Sequence, residues 1–243
     1  MSNYTLQRIF DDLSYGELSQ VNLSGKNSDC ECGEWDRKAE KTIVSHLNMA
    51  LDALYTRFPL LEKEVTIQLY PELTHYRLES KYAETNTESD EPIKYIKDSE
   101  FYPFTDDILR VESCFDEGGI SLPINDRKRE YSIFTPDYNS IQVPFSEENF
   151  ALFLIYRARH PVITNEYTDA NEVLILLPPY LYEALLCYIT YRVHKARSNQ
   201  EAQVEAVRAL QLYETKCKEV ETRNMTHNDL NVTNTLLDDN GWK

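Results

Sequence analysis

The stretch Leu174-Ile175-Leu176-Leu177-Pro178-Pro179 decides how the C-terminal part of this chain is organised, because it leads directly into a helix. Proline at the first helical position gives up only an amide that has no intrahelical partner in any case. The spacing then predicts a helix from about Pro179 to Arg197. One face of it carries Leu181, Ala184, Leu185, Tyr188 and Tyr191.

A second helical pattern follows after only a few residues. It begins at Ser198-Asn199-Gln200-Glu201, a capping-box sequence in which the Ser198 and Glu201 side chains can each satisfy a free backbone amide. Its apolar positions are Val204, Val207, Leu210, Tyr213, Cys217 and Val220. The short break predicts an antiparallel hairpin whose arms are roughly 30 Å long.

The apolar faces of this hairpin need partners, and the segment from Trp35 to Phe58 supplies the best one. Apolar residues mark every turn of it, and further ones widen the stripe: Ala39, Ile43, Val44, Leu47, Ala50, Leu51, Leu54, Tyr55 and Phe58. Pro59 ends the pattern. A shorter N-terminal pattern consists of Leu6, Ile9, Phe10 and Leu13. We therefore predict a bundle of three or four helices built from pieces distant in sequence.

Residues between the long helix and the hairpin alternate in the manner of strands. The predicted strands lie at Val65 to Leu69, Tyr76 to Leu78, Ile108 to Phe115, Ile120 to Pro123, Tyr131 to Phe134, Ile141 to Val143 and Phe150 to Tyr156. Gly118-Gly119 is a turn signal, and the polar, acidic segment Ala83 to Pro92 predicts a mobile hairpin tip. The spacing favours an antiparallel sheet or small sandwich inserted into a helical frame.

The predicted fold class is therefore α+β, with four parts along the chain. Residues 1–63 hold the N-terminal helices, residues 64–176 the inserted β-rich region, residues 177–224 the helical hairpin, and residues 225–243 an extended tail. The 243 residues are enough for one large interrupted domain.

The net charge of −16 excludes ordinary nucleic-acid binding, which depends on clustered Lys and Arg. The basic run Arg127-Lys128-Arg129 is interpreted as a solvated loop, or as a contact for an acidic neighbour in an assembly. No apolar run approaches the roughly 18 residues of a membrane helix, and the N-terminus has no signal-peptide pattern. We expect a protein made in the cytoplasm, without membrane partners.

The five cysteines predict free thiols rather than a metal site, because Cys30-Glu31-Cys32 has no second ligand pair at workable spacing. Cys187 and Cys217 lie on apolar helix faces and are expected in the core. His75, His160 and His194 are interpreted as surface or core residues, and acidic pairs such as Asp106-Asp107 as helix caps or solvated groups. We expect no cofactor and no metal.

One enzymatic pattern occurs near the C-terminus. The segment from His227 to Asn234 matches the kinase catalytic loop H-x-D-L-x-x-x-N, in which Asp229 would be the base and Asn234 a magnesium ligand. Phosphoryl transfer also needs a glycine-rich phosphate loop and a second metal-binding aspartate, and the sequence offers neither. We interpret the match as a coincidence in a polar tail, and expect no enzymatic activity.

Three passages give the chain a resemblance to a known family. They are Leu6-Gln7-Arg8-Ile9 followed by Tyr15-Gly16-Glu17-Leu18-Ser19; residues 152–163; and Leu176-Leu177-Pro178-Pro179-Tyr180-Leu181 with the Tyr-rich helix after it. In their order they resemble the head-to-tail adaptor proteins, also called head completion or connector proteins, of short-tailed bacteriophages.

This resemblance implies that the chain is a structural virion protein at the junction of head and tail. Such adaptors form a homo-oligomeric ring, usually of twelve copies, between the portal protein and the tail or nozzle proteins, and double-stranded DNA passes through the channel without specific binding. A C-terminal extension commonly reaches into the portal. The tail here carries the apolar residues Leu230, Val232, Leu236, Leu237 and Trp242, which we predict to contact the portal.

Two other functions stay open on the sequence alone. One is a different tail or baseplate subunit, and the other is an acidic binding protein with no role in a virion. A kinase-like enzyme ranks below both. Self-assembly discriminates between the structural options, because a tail-tube subunit polymerises unaided whereas an adaptor can stay monomeric until a portal ring templates it.

Overall fold

A computed structural model describes residues 2–21, 37–145, 150–223 and 225. The described residues form four α-helices and nine short strands, all paired antiparallel within their sheets, which confirms the α+β class. The helices are α1 (Leu6–Tyr15), α2 (Arg37–Arg57), α3 (Pro179–Lys195) and α4 (Gln200–Thr222). The strands are β1 (Ser2–Thr5), β2 (Glu62–Gln68), β3 (His75–Arg77), β4 (Ile96–Lys97), β5 (Ile108–Phe115), β6 (Ser121–Leu122), β7 (Ser140–Gln142), β8 (Ala151–Ala158) and β9 (Leu174–Leu177).

The chain divides into two compact units. The first unit combines Met1–Ala50 with Ile163–Lys243, and the second is the continuous segment Leu51–Val162. Helix α2 follows the predicted pattern closely. Every residue of its predicted stripe is buried: Ala39, Ile43, Val44, Leu47, Ala50, Leu51, Leu54, Tyr55 and Phe58.

In the first unit, the N-terminus is held by a strand pair that the sequence analysis did not predict. Strand β1 pairs antiparallel with β9, so that Tyr4 lies opposite Ile175. Helix α1 begins directly afterwards, and the Thr5 hydroxyl caps it by accepting a hydrogen bond from the Arg8 amide at 3.2 Å. Its predicted apolar face is buried: Leu6, Ile9, Phe10 and Leu13.

Helix α3 contacts both α1 and α4. The Tyr182 ring stacks on Tyr4 with centroids 4.2 Å apart, and the Tyr182 hydroxyl donates a hydrogen bond to Asp12 at 2.6 Å. On the other side, Tyr188 of α3 meets Tyr213 of α4 edge to face at 5.0 Å. Because residues early in α3 contact residues late in α4, the predicted antiparallel hairpin is confirmed.

The buried face of α4 differs from the predicted one in its first half. Val204 and Val207 are 61% and 56% exposed. The residues that face inward are Ala202, Ala206, Ala209, Tyr213, Cys217 and Val220. Small side chains at the first three positions let two helices approach closely, whereas valines would hold them apart. The prediction was therefore wrong for the two valines and right for Tyr213, Cys217 and Val220.

The start of α4 also differs from the prediction. The N-cap residue is Asn199 rather than Ser198, and no side-chain hydrogen bond caps the helix there. The capping box predicted for Ser198 and Glu201 is thus not formed, because the helix begins one residue later than that motif requires.

In the second unit, a five-stranded sheet has the order β4-β2-β8-β5-β6, and β3 and β7 form a separate pair. The apolar core lies on the face that carries Val65, Ile67, Leu152 and Leu154. The strand predicted for Tyr131 to Phe134 is absent from the described residues. Tyr131 has a φ of 62°, which breaks an extended strand, and Ile133 and Phe134 form only isolated bridges.

The segment Ala83 to Pro92, predicted as a mobile hairpin tip, does not form a hairpin, because the bridge between Ala83 and Ile96 is parallel. Ala83 is buried and forms a bridge with Ile96. The Lys94 ammonium donates a hydrogen bond to the Asn86 carbonyl, and Thr85 bonds to Asp98. Polar side chains here fasten turns to the sheet instead of facing only solvent.

Among the described helices, none combines the length and the apolar composition that crossing a bilayer requires.

Candidate functional site

Strand β2 has one edge that is only partly covered. Along one side, β8 pairs with all seven residues of β2. Along the other side, β4 pairs with Thr66 and Ile67 only, because β4 is two residues long. Beyond Thr66, toward the start of β2, the described residues supply no further strand at this edge.

The direction of the backbone groups follows from the hydrogen bonds at both ends of β2. The Ala158 amide donates to the Leu61 carbonyl, and the Leu69 amide donates to the Phe150 carbonyl. The backbone groups of the odd-numbered residues of β2 therefore face β8. On the β4 side, the Gln68 amide donates to the Tyr95 carbonyl. Because alternate residues of a strand point their backbone groups to opposite sides, Glu62 and Glu64 direct theirs to the uncovered edge.

A turn ends β4 and so leaves this edge uncovered. The Asp98 carboxylate accepts hydrogen bonds from the Thr85 hydroxyl at 2.5 Å, from the Thr85 amide at 3.0 Å and from the Phe104 amide at 2.9 Å. Within the turn, the Tyr102 amide donates to the Ser99 carbonyl. These bonds pull the chain away from β2 immediately after Lys97.

Two aromatic side chains stand exposed on this turn. Phe101 is 90% exposed and Tyr102 is 84% exposed. Both belong to a groove of about 840 Å³ that also includes residues 63–66 of β2, most of residues 97–105, and Tyr156. We call it the edge groove. Large aromatic side chains beside an open strand edge are typical of protein-binding surfaces, where they bury much area at small entropic cost.

A partly buried network of Lys63, Asp107 and Tyr156 forms one wall of the edge groove. Lys63 is paired with Asp107 at 2.5 Å, and the Tyr156 hydroxyl donates to the other oxygen of Asp107 at 3.2 Å. Burial, together with the neighbouring Asp107 charge, raises the pKa of Tyr156. The phenol is therefore protonated at neutral pH and cannot act as a base. The network can shape the groove, but it does not supply a nucleophile.

The Asp98 turn provides a direct test of how the groove is held. Partial burial alone would raise the pKa of Asp98, yet the hydrogen bonds from Thr85 and Phe104 outweigh it and lower the pKa below the ordinary 3.8. Asp98→Ala should lower the free energy of unfolding by about 2 kcal/mol at pH 7. Because the folded pKa is depressed, this stabilisation is present above pH 3.8 and is lost as the pH falls through the folded pKa.

Urea unfolding of both proteins from pH 7 down to pH 3 would measure this difference. Asp90→Ala, which alters an exposed aspartate with no hydrogen bond or ion pair among the described residues, is the matched control and should change stability by less than about 0.5 kcal/mol. A difference between wild type and Asp98→Ala that stays constant over this range would contradict the assignment.

The predicted portal-binding residues lie outside the described residues. These are Leu230, Val232, Leu236, Leu237 and Trp242. The kinase-like segment from His227 to Asn234 and the pair Cys30 and Cys32 lie outside them as well. In the described ranges, no group of three or more His, Cys, Asp or Glu side chains is arranged to hold a metal ion.

The histidines discussed in the sequence analysis are dispersed. His75 is exposed in β3, and His194 is half-buried in α3. His160 is buried, its Nδ1 atom lies 2.6 Å from the Pro161 carbonyl oxygen, and its ring contacts Tyr55. Burial lowers the pKa of His160, which is therefore a core residue, one of the two roles that the sequence left open. Cys187 and Cys217 are likewise buried, as predicted.

The pair Asp106-Asp107 was interpreted as helix capping or solvation, and that is wrong for Asp107. Asp106 is exposed, and it accepts hydrogen bonds from the amide and hydroxyl of Ser80, the first residue of a short 3-10 turn. Asp107 instead is buried and paired with Lys63. The predicted solvated loop of Arg127-Lys128-Arg129 is confirmed as exposed.

Sequence reasoning missed the edge groove. One local signal was present, namely Phe101-Tyr102 between the turn formers Asp98-Ser99 and Pro103, because an aromatic pair inside a turn has little chance of burial.

Comparison with models of known protein families and with curated proteins gives no match to this chain.

Proposed function

We propose that this chain is a structural assembly protein that holds other proteins through the edge groove. One observation carries this proposal: an uncovered strand edge lies beside Phe101 and Tyr102, and both side chains are almost fully exposed. An open strand edge is a template for pairing with another chain, and exposed aromatic residues beside it add an apolar surface that a partner can cover.

Within this class, the specific proposal is the adaptor between portal and tail of a short-tailed bacteriophage. The resemblance of the three sequence passages supports it, and so do the helices, which we propose to form the bundle of the ring. In a ring of twelve copies the formal charge would be about −190, enough for an acidic channel wall along which DNA slides without being held. The portal contact is assigned to the C-terminal tail, and the edge groove is left for a second protein.

The adaptor proposal is tested by negative-stain imaging of this protein mixed with a purified portal ring from the same genome. We expect a second ring stacked on the tail-facing end of the portal. A variant lacking residues 225–243 should leave most portals bare, because the residues assigned to portal binding are removed, while its circular dichroism and unfolding midpoint stay close to those of the full chain.

Bare portals at high concentration of the intact protein would overturn the adaptor proposal and favour a distal tail component or a non-virion binding protein. Unchanged stacking by the shortened variant would overturn only the role of the tail. Tubes or rings formed without any portal would indicate a tail-tube subunit.

A further inference from the structure

The uncovered edge of β2 has a defined size and charge. It presents two residues, Glu62 and Glu64, whose backbone amides and carbonyls face away from β8. Their side chains are roughly 6.7 Å apart, the repeat of alternate residues in a strand. Both side chains are exposed, and neither forms an ion pair with any described residue.

The positive charges nearby are already neutralised. Lys63 is paired with Asp107, and Lys97 is paired with Glu84. Arg157, which lies opposite Glu62 on β8, is paired with Glu112. The Asp98 carboxylate adds a further negative charge to the groove lining. The uncompensated charge at this edge is therefore negative.

We infer that the edge groove binds an extended segment of a partner protein, with Lys or Arg at alternate positions, as an additional strand beside β2. The backbone of that segment would bond to Glu62 and Glu64, and its basic side chains would lie opposite the two carboxylates. Phe101 and Tyr102 would then cover it from the adjoining turn, where a guanidinium or ammonium group gains from contact with an aromatic face.

A second copy of this chain is a poor occupant of the same edge. If two β2 edges paired antiparallel about a two-fold axis, Glu62 and Glu64 of one copy would meet the same two residues of the other. Like charges directly opposite each other destabilise a strand pair. The charge pattern thus favours a different, basic protein, whether or not that protein belongs to a virion.

The test uses the full chain and a synthetic blocked peptide, Ser-Val-Lys-Val-Lys-Val-Ser. Its lysines stand at alternate positions, and its valines share the opposite face. Amide hydrogen exchange, followed residue by residue by NMR, reports where the peptide adds. We expect the amides of Glu62 and Glu64 to exchange more slowly when the peptide is bound, while those of Lys63 and Val65, which face β8, are unchanged.

Two control peptides separate strand addition from simple charge attraction. One has glutamate in place of both lysines and should not bind. The other keeps the lysines but carries N-methyl groups on the amides that face β2, which removes hydrogen bonds and leaves the charge intact. It should give no protection at Glu62 or Glu64.

Protein variants test the two other contributions. Glu64→Lys should weaken binding of the lysine peptide about fivefold, and should restore binding of the glutamate peptide. Phe101→Ala should also weaken binding of the lysine peptide about fivefold. Tyr138→Ala, which removes another exposed aromatic side chain outside the groove, should leave that binding unchanged.

Equal binding of the N-methylated peptide would overturn the inference, because charge attraction alone would then explain the contact. Failure of the lysine peptide to bind would overturn it too, and would mean that Glu62 and Glu64 only protect the edge from unwanted pairing. The inference rests on the proposed role of the edge groove in holding other proteins. Its failure leaves the adaptor assignment unaffected, because the portal experiment tests that assignment through residues 225–243.

Discussion

Asp107→Ala is expected to lower the free energy of unfolding by about 3 kcal/mol. The substitution removes the carboxylate that accepts bonds from both Lys63 and Tyr156. The Tyr156 hydroxyl is then left in a buried site without this acceptor. Lys63 is half-exposed and can regain water, which keeps the expected loss near the lower end for a broken buried pair. Urea unfolding at pH 7 measures the change.

Two further variants show whether the loss comes from this network. Asp107→Asn keeps an oxygen for Tyr156 but not the charge for Lys63, so its loss should be smaller, about 1–2 kcal/mol. In a double-mutant cycle, Tyr156→Phe should cost less in the Asp107→Ala background than in the wild type, because the bond is already gone. Additive losses would show that the two residues do not act together.

Tyr213→Ala is expected to have the largest effect of all, a loss of about 4 kcal/mol. The Tyr213 ring is 5% exposed and packs edge to face on Tyr188, which lies on the other arm of the hairpin. Its removal opens a cavity between α3 and α4 that the two helices can fill only in part. Chemical unfolding followed by far-ultraviolet circular dichroism, which reports on both helices, measures the loss.

Val204→Ala is the matched control, because the sequence pattern placed Val204 and Tyr213 on the same apolar stripe. The structure puts Val204 on the exposed side of α4, so its truncation should change stability by less than about 0.5 kcal/mol. Alanine also favours a helix slightly more than valine does. If truncating Val204 lowered the free energy of unfolding as much as truncating Tyr213, that result would contradict the exposed position of Val204 and support the predicted apolar stripe.

The helices were predictable because their signal is local and repeated. Along α2 and the adjoining Phe58, nine apolar positions recur with helical spacing, and any shift in phase would expose several of them. In α4 the same reasoning failed in the first half. Alanine carries little hydrophobic weight, so Ala202, Ala206 and Ala209 did not outweigh Val204 and Val207 in the pattern. Close packing of two helices selects small residues, and that preference depends on the partner helix.

The strands were located better than their arrangement. Strand β5 was predicted with both its limits correct, since its apolar residues from Ile108 to Phe115 are followed by the turn signal Gly118-Gly119. By contrast, nothing in residues 62–68 shows that the neighbour on one side is eight residues long and the neighbour on the other only two. Strand pairing joins residues far apart in sequence, so the uncovered edge at Glu62 and Glu64 emerges only from the assembled sheet.

The candidate site was hidden for a related reason. Asp98 is one of many acidic residues, and its importance comes from three hydrogen-bond donors supplied by Thr85 and Phe104. Similarly, Asp107 lies beside Asp106 in the chain, yet Asp106 accepts hydrogen bonds from Ser80 whereas Asp107 is buried and paired with Lys63. Adjacent residues in a loop can have unrelated surroundings, which composition does not reveal.

The pairing of β1 with β9 has a consequence for synthesis on the ribosome. Ser2 to Thr5 are made before the second unit, but their partners, Leu174 to Leu177, emerge only after the whole of it. At usual rates of translation that interval lasts roughly ten to thirty seconds, which is long compared with the folding of most domains. The second unit is continuous in sequence, so it can acquire its fold during this wait. The first unit can complete its fold only after Leu174 to Leu177 have been synthesised and can pair with β1.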